Sequence, residues 1–157
     1  MFVFGSGVLI GTPQGGTPIN FGLAQEVSLD VQATTKLSLD LDLVSASSAL
    51  ARGNENGAHQ PDGTYYLGPG SSAAYAVVNA GAHYTLTSHL QLLAQLNNIF
   101  NSHYASAAQL GPTGFTSAGT FVARPLPAIG GEFPVVRSTF DAPGAPTTFW
   151  FGARLSL

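Results

Sequence analysis

The sequence predicts an all-β fold: an antiparallel meander of about five or six long strands forming part of a transmembrane β-barrel, with long extracellular loops. Three observations lead there. The chain of 157 residues is 45% hydrophobic but only 8% charged, whereas a soluble globular domain carries about 25% charged residues. No segment approaches the roughly 18 consecutive apolar residues of a helical span. Apolar and polar residues instead alternate over segments of about ten residues, the length at which a tilted strand crosses the hydrocarbon layer.

The same composition narrows the function classes. Five Lys+Arg against eight Asp+Glu give a formal net charge of −3, so no basic field exists to attract a phosphate backbone and nucleic acid is not an expected partner. The absence of cysteine removes disulfide frameworks and thiolate metal sites. Disorder fits poorly, because disordered chains are poor in aromatic and β-branched residues. Met1 to Ile10 is apolar but lacks the basic segment and cleavage site of a secretion signal, which is expected upstream of this sequence if the protein is exported.

Residues 1–24 supply at most one strand, at Phe2 to Ile10. The alternation is strongest from Glu26 to Leu43, where Val27, Leu29, Val31, Leu37, Leu39, Leu41 and Leu43 share one face and Glu26, Ser28, Asp30, Gln32, Lys36, Ser38, Asp40 and Asp42 share the other. Helical spacing would mix these sets. Two strands, near 25–33 and 36–46, therefore meet at a turn around Thr34-Thr35. A second hairpin is expected near 75–86 and 89–100, turning at Thr87-Ser88. Leu93 and Ile99 blur its second strand, so a short amphipathic helix at Leu90 to Phe100 stays open. A last strand at 147–157 sets Phe149, Phe151, Ala153, Leu155 and Leu157 against Thr148, Trp150, Gly152, Arg154 and Ser156.

The connections alternate between tight turns and long segments, 47–74 and 101–146, rich in Gly, Pro, Ser and Asn. Outer-membrane barrels have short periplasmic turns and longer exterior loops, so a periplasmic C-terminus places both long connections outside. No charge falls on the predicted lipid-facing side, and the seven charges outside these strands are expected in loops.

Several segments resemble the C-terminal part of the β-barrel of a TonB-dependent outer-membrane receptor. AYAVVNAGAHYTLTSHLQLLAQLNNIFNSHY resembles the late hairpin of that family and its closing N-L-F-x-x-x-Y pattern, here Asn98, Ile99, Phe100 and Tyr104. Arg52-Gly53-Asn54-Glu55-Asn56 resembles an R-G-D-E-x-N loop motif, with Asn54 in place of Asp. Pro143-Gly144-Ala145-Pro146 resembles the entry to the terminal strand. Gly152, Leu155 and Leu157 match the signal read by the barrel assembly machinery, although Leu157 replaces the usual aromatic and Trp150 stands where a polar residue is common.

The resemblance implies energy-coupled uptake of a small-molecule ligand, such as a siderophore or other metal chelate, across the Gram-negative outer membrane. The family's barrel has 22 strands around an N-terminal plug. Five or six strands cannot enclose a plug, so the chain is expected to be a plug-less fragment, coupled to the TonB system only through the missing plug. Its unpaired sheet edges predict an open sheet or edge-to-edge association. The alternative is a passive or structural outer-membrane β-protein, a small pore or adhesin module; a soluble β-sandwich ranks third.

No catalytic or metal site is expected, and no cofactor. His59, His83, His89 and His103 lack metal-site spacing and read as polar loop and lumen residues, with His83 facing the lumen. Glu26, Asp30, Asp40 and Asp42 share a strand face that a polar barrel interior already explains. No Walker lysine and no G-x-S-x-G occurs. Phe149 and Phe151 are expected to face lipid, with Tyr84, Phe100 and Tyr104 as interfacial girdle residues. In the long loop, Arg124 and Arg137 could meet an anionic chelate through charge-assisted hydrogen bonds; simple solvation explains them equally.

Overall fold

A computed structural model describes residues 24–123, 126, 128–132 and 134–156. The strand expected at Phe2 to Ile10, and Arg124 and Leu157 among the site residues, lie outside them. The fold is all-β. Its strands are β1 (Ala24–Gln32), β2 (Leu37–Ala46), β3 (Ala49–Leu50), β4 (Tyr66–Leu67), β5 (Ser71–Ser72), β6 (Tyr75–Thr85), β7 (Leu90–Asn97), β8 (Ala105–Pro112), β9 (Arg137–Pro143) and β10 (Thr148–Leu155).

The main sheet has five antiparallel strands in the order β1-β2-β6-β7-β10. Its two tight turns share one chemistry. Thr34 Oγ1 accepts from the amides of Lys36 (3.2 Å) and Leu37 (3.0 Å), and the amides of Ala33 and Thr34 donate to Leu37 O. Thr87 Oγ1 likewise accepts from His89 (3.2 Å) and Leu90 (3.1 Å), while Leu86 and Thr87 donate to Leu90 O. A threonine three residues before a leucine thus satisfies the amides that each reversal strips from the ladder.

These turns fix the register, and with a side-chain period of two the register fixes the faces. One continuous row runs Asp30, Asp40, Gly81, Gln95, Trp150 across all five strands, and the adjacent row of the other face runs Leu29, Leu41, Ala80, Leu96, Phe149. β1 and β10 are not paired with each other, so the sheet is open.

Three details differ from the sequence reading. The strand expected at 89–100 ends at Asn97, because Asn98 takes a left-handed conformation (φ 49°) that leaves the strand region. Leu90 to Phe100 forms no helix: Leu93, the residue that blurred the alternation, sits on the polar face between His83 and Gly152, over a position with no side chain. The segments 47–74 and 101–146 are not simple loops. They hold β3 to β5 and the hairpin β8/β9, and β4 pairs parallel with β9 to make a three-stranded sheet. Arg137 and Asp141 therefore lie in β9 rather than in a loop.

Among the described residues the buried apolar side chains are only Ala51, Leu67, Val77 and Val136. None of them projects from the apolar face of the main sheet.

Candidate functional site

The two faces of the main sheet differ in chemistry. The apolar face carries Leu39, Leu41, Leu43, Phe149, Phe151 and Leu155, exposed by 39–68%, and no charged residue of the five strands projects on that side. Tyr84 lies on this face at the tight-turn end, and Phe149 towards the other end. The opposite face carries Ser28, Asp30, Asp40, Asp42, Asn79, His83, Gln91, Gln95 and Arg154. There His83 Nε2 lies 3.4 Å from Asp40 Oδ1, and Gly81 provides the room, since a Cβ at Gly81 would collide with the Asp40 carboxylate.

Two buried asparagines organise the long connections, Asn98 by fastening one to the main sheet and Asn54 by closing the other on itself. Asn98, 2% exposed, uses every polar atom of its side chain. Its Nδ2 donates to the carbonyls of Ser102 and Ala145, both at 2.9 Å, and its Oδ1 accepts from Ser102 N at 2.8 Å. Its backbone N–H donates to Asn79 Oδ1 at 2.9 Å, and its carbonyl accepts from Thr147 Oγ1 at 2.7 Å. One residue thereby ties the end of β7 to β6 and to the segment entering β10. Asn54, also 2% exposed, donates from Nδ2 to Gly70 O at 2.9 Å and accepts at Oδ1 from His59 N at 2.8 Å. This is the residue that departs from the resembled loop motif, and it is the one that closes the loop.

The other residues singled out from sequence lie in separate places. Arg52 bonds through its backbone to β8, its N–H to Ala108 O and its carbonyl to Leu110 N, both at 2.8 Å. Gly53 has φ +90°, which glycine adopts without strain. Its N–H donates to Glu55 Oε1 at 2.9 Å, and that bond, before any other influence, holds the exposed Glu55 carboxyl below its ordinary pKa. Phe100 is 73% exposed beside Asn98. Tyr104 is a correction: it stacks on Tyr75 (ring centroids 4.7 Å) and shares a cleft with Val77 and Asn79 of the polar face, so it is not a girdle residue. Gly152 lies on the polar face beside the Trp150 ring, and Leu155 projects from the apolar face. Arg137 is exposed, and its backbone N–H donates to Tyr65 O at 2.8 Å. The structure does not bring these residues into one cluster.

Gly144, in the motif that enters the terminal strand, has a further role: a Cβ there would land inside the Tyr104 ring, and its N–H donates to Tyr104 O at 2.8 Å. Gly144→Ala is expected to displace Tyr104 from Tyr75 and cost about 2–3 kcal/mol, as overpacking commonly does. Trp150, the single tryptophan, reports this as an earlier urea midpoint by fluorescence.

Of the histidines, His59 is buried rather than solvated, its Nε2 3.3 Å from Gly68 O and its ring edge-on to Tyr66 at 5.1 Å. Among the described residues no three His, Cys, Asp or Glu side chains gather as a metal site would require.

Asp62 was also missed, although its Asp-Gly pair is a turn signal. Its Oδ1 accepts from the amides of Tyr66 (2.9 Å), Thr64 (2.8 Å) and Tyr65 (2.8 Å), and these bonds, that of Tyr66 foremost, hold its carboxyl below the ordinary value. A group whose folded-state pKa is depressed contributes stability above its unfolded value, near 4, and loses it as pH falls through the folded value. Hydrogen-exchange protection at Thr64 to Tyr66 is therefore expected to persist at pH 5 and to fall below about pH 4. In Asp62→Asn that step should be absent.

No family model and no curated protein matches the chain. Two solved structures are similar in fold, both of the ferric-catecholate import receptor Fiu from Escherichia coli K12. The open form has a TM-score of 0.51 and 18% identity over 84% of this chain. The closed form has the same score, identity and coverage of this chain. The chain spans only 15% and 14% of those two receptor chains, so the likeness shows an antiparallel β-fold shared with a small part of their length.

Proposed function

We propose that this chain is a wall segment of an outer-membrane receptor barrel of the TonB-dependent type, serving energy-coupled uptake of a small ligand such as a siderophore or other metal chelate. The observation that carries the reading is the charge-free apolar face running unbroken across five paired strands. Each large apolar side chain left in water forgoes about 1.5–3 kcal/mol, a cost that lipid removes. The polar face would then line the lumen, where a plug would sit and through which any contact with TonB would run. The tight turns and Ser156 lie at one end of the sheet, since Ser156 N donates to His89 O at 2.9 Å; that end is periplasmic, and the β8/β9 hairpin stands outside. Gly152, Leu155 and Leu157 would present the terminal strand to the barrel assembly machinery.

The chain has no cysteine, so single-cysteine spin labels give a clean test in the full chain reconstituted into vesicles. Labels at Leu41, Leu92 and Phe151 are expected to collide with dissolved oxygen and to be shielded from a water-soluble nickel chelate. Labels at Ser28, Asn79 and Gln95 should show the reverse. Monodisperse behaviour in plain buffer with both faces open to the nickel chelate would overturn the proposal.

A further inference from the structure

The tip beyond β8 and β9 forms a half-open cavity of about 250 Å³ that belongs to neither face of the main sheet. Its walls include Tyr65, Phe115, Val122, Ile129, Pro134 and Val136, and no charged side chain among the described residues lines it. The walls come from separate turns, each closed by its own hydrogen bonds. Thr113 N donates to Val136 O at 2.9 Å, Val122 N to Gly114 O at 2.7 Å and Arg137 N to Tyr65 O at 2.8 Å. Ile129 and Glu132 exchange a reciprocal backbone pair at 2.8 and 3.1 Å, and Phe115 is braced edge-on by Phe121 at 5.7 Å. The pocket is thus built before any ligand arrives, which lowers the ordering cost of binding.

We infer that this cavity is a binding site for an uncharged aromatic molecule of one or two rings. Size sets the upper limit: an apolar cavity of about 150 Å³ holds benzene, while drug-sized ligands occupy about 300–1,000 Å³. Polarity sets the class. Two of the threonine hydroxyls in the wall are engaged in their own turns, Thr113 Oγ1 accepting from Phe115 N and Thr116 Oγ1 from Thr120 N, both at 3.2 Å. Ordered water needs two to four polar partners and finds few here, and an anion would be desolvated with no cation to meet it among the described lining residues. Tyr65 and Phe115 offer ring faces and edges to an aromatic guest. Arg137 does not line the cavity, and the proposal stands whether or not the sheet lies in a membrane.

The probe is 5-fluoroindole, followed by fluorine NMR against the full chain in lipid nanodiscs, with protein-free nanodiscs as the partition baseline. Saturable binding in the sub-millimolar range, roughly as ligand-efficiency limits allow for ten heavy atoms, is expected. It should weaken at least tenfold in Val122→Trp and in Ile129→Trp, which fill the cavity from two different walls. Ile129 is 59% exposed, so that variant tests the site without disturbing a buried position. Ser28→Trp on the sheet should bind as the parent does. Binding that grows linearly with lipid, or that survives both filling variants, overturns the site, and an equally tight 5-fluoroindole-2-carboxylate overturns the uncharged class. The spin-label pattern reads the membrane proposal separately, so either can fail alone.

Discussion

Leu41→Arg is expected to destabilise the lipid-embedded chain by about 2–4 kcal/mol, the range for arginine on the lipid face at mid-bilayer, whereas Asp42→Arg, one residue along, should change stability by less than about 1 kcal/mol. Leu41 is the appropriate site because it lies mid-strand on β2, flanked by Leu29 of β1 and Ala80 of β6, so its side chain has no free edge along which to escape. Asp42 sits between Ser28 and Asn79 on the polar face. An arginine there relieves the crowding of Asp30, Asp40 and Asp42 and remains hydrated. Neighbouring positions with opposite outcomes separate lipid from a soluble core only when solvent is varied, so both variants are unfolded by urea from vesicles and again from detergent, with Trp150 as the reporter. Equal costs at both positions would mean that the two faces share one environment.

The main sheet was legible because period-two alternation and the two threonine turns act locally: everything that sets the register of β1 with β2, or of β6 with β7, lies within a short stretch of chain. The β8/β9 hairpin was not legible. Ala105–Pro112 reads ASAAQLGP, poor in the β-branched and aromatic residues that mark strands, and its partner β9 starts at Arg137. What makes β8 a strand is pairing supplied from elsewhere, by β9 and by the backbone of Arg52. The candidate site divides the same way. Asn98, Arg52, Gly53 and Glu55 were visible as a pattern, and Gly53 and Glu55 meet locally, but the partners that give Asn98 and Arg52 their roles, Ala145, Ala108 and Leu110, are distant in sequence. Asn54 was read as a departure from a motif; its burial and its bond to Gly70 show a structural reason for an amide, which donates as well as accepts where a carboxylate only accepts. The cavity at the tip left no sequence signal at all, since its walls are single apolar residues scattered from Tyr65 to Val136.

The asparagine at the end of β7 ties together β6, β7 and the entry to β10, and Asn98→Ala is expected to cost about 3–5 kcal/mol. Three side-chain hydrogen bonds disappear, each with a net worth of about 0.5–1.5 kcal/mol. The groups they leave behind, Ser102 N and the carbonyls of Ser102 and Ala145, become unpaired near a residue that is 2% exposed, where an unsatisfied group costs more than its bond contributed. Alanine must in addition hold φ 49°, a region that asparagine tolerates and other residues enter at about 1–2 kcal/mol. Asn98→Gly isolates the first part of this cost, since glycine adopts the conformation freely but cannot make the bonds. Asn98→Asp keeps the acceptor for Ser102 N and loses the two donated bonds. The expected order of stability is parent, then Asp and Gly, then Ala, read from urea midpoints of the full chain. The loss should be local in its first consequences: amide exchange at Ser102 and Thr147 is expected to accelerate before that of β1 and β2, because the residue pins the entry to β10 and the base of the β8/β9 hairpin, while the first hairpin is held by its own threonine turn. If Asn98→Ala unfolds at the same urea concentration as the parent, the tie between β7, β6 and β10 does not depend on this side chain.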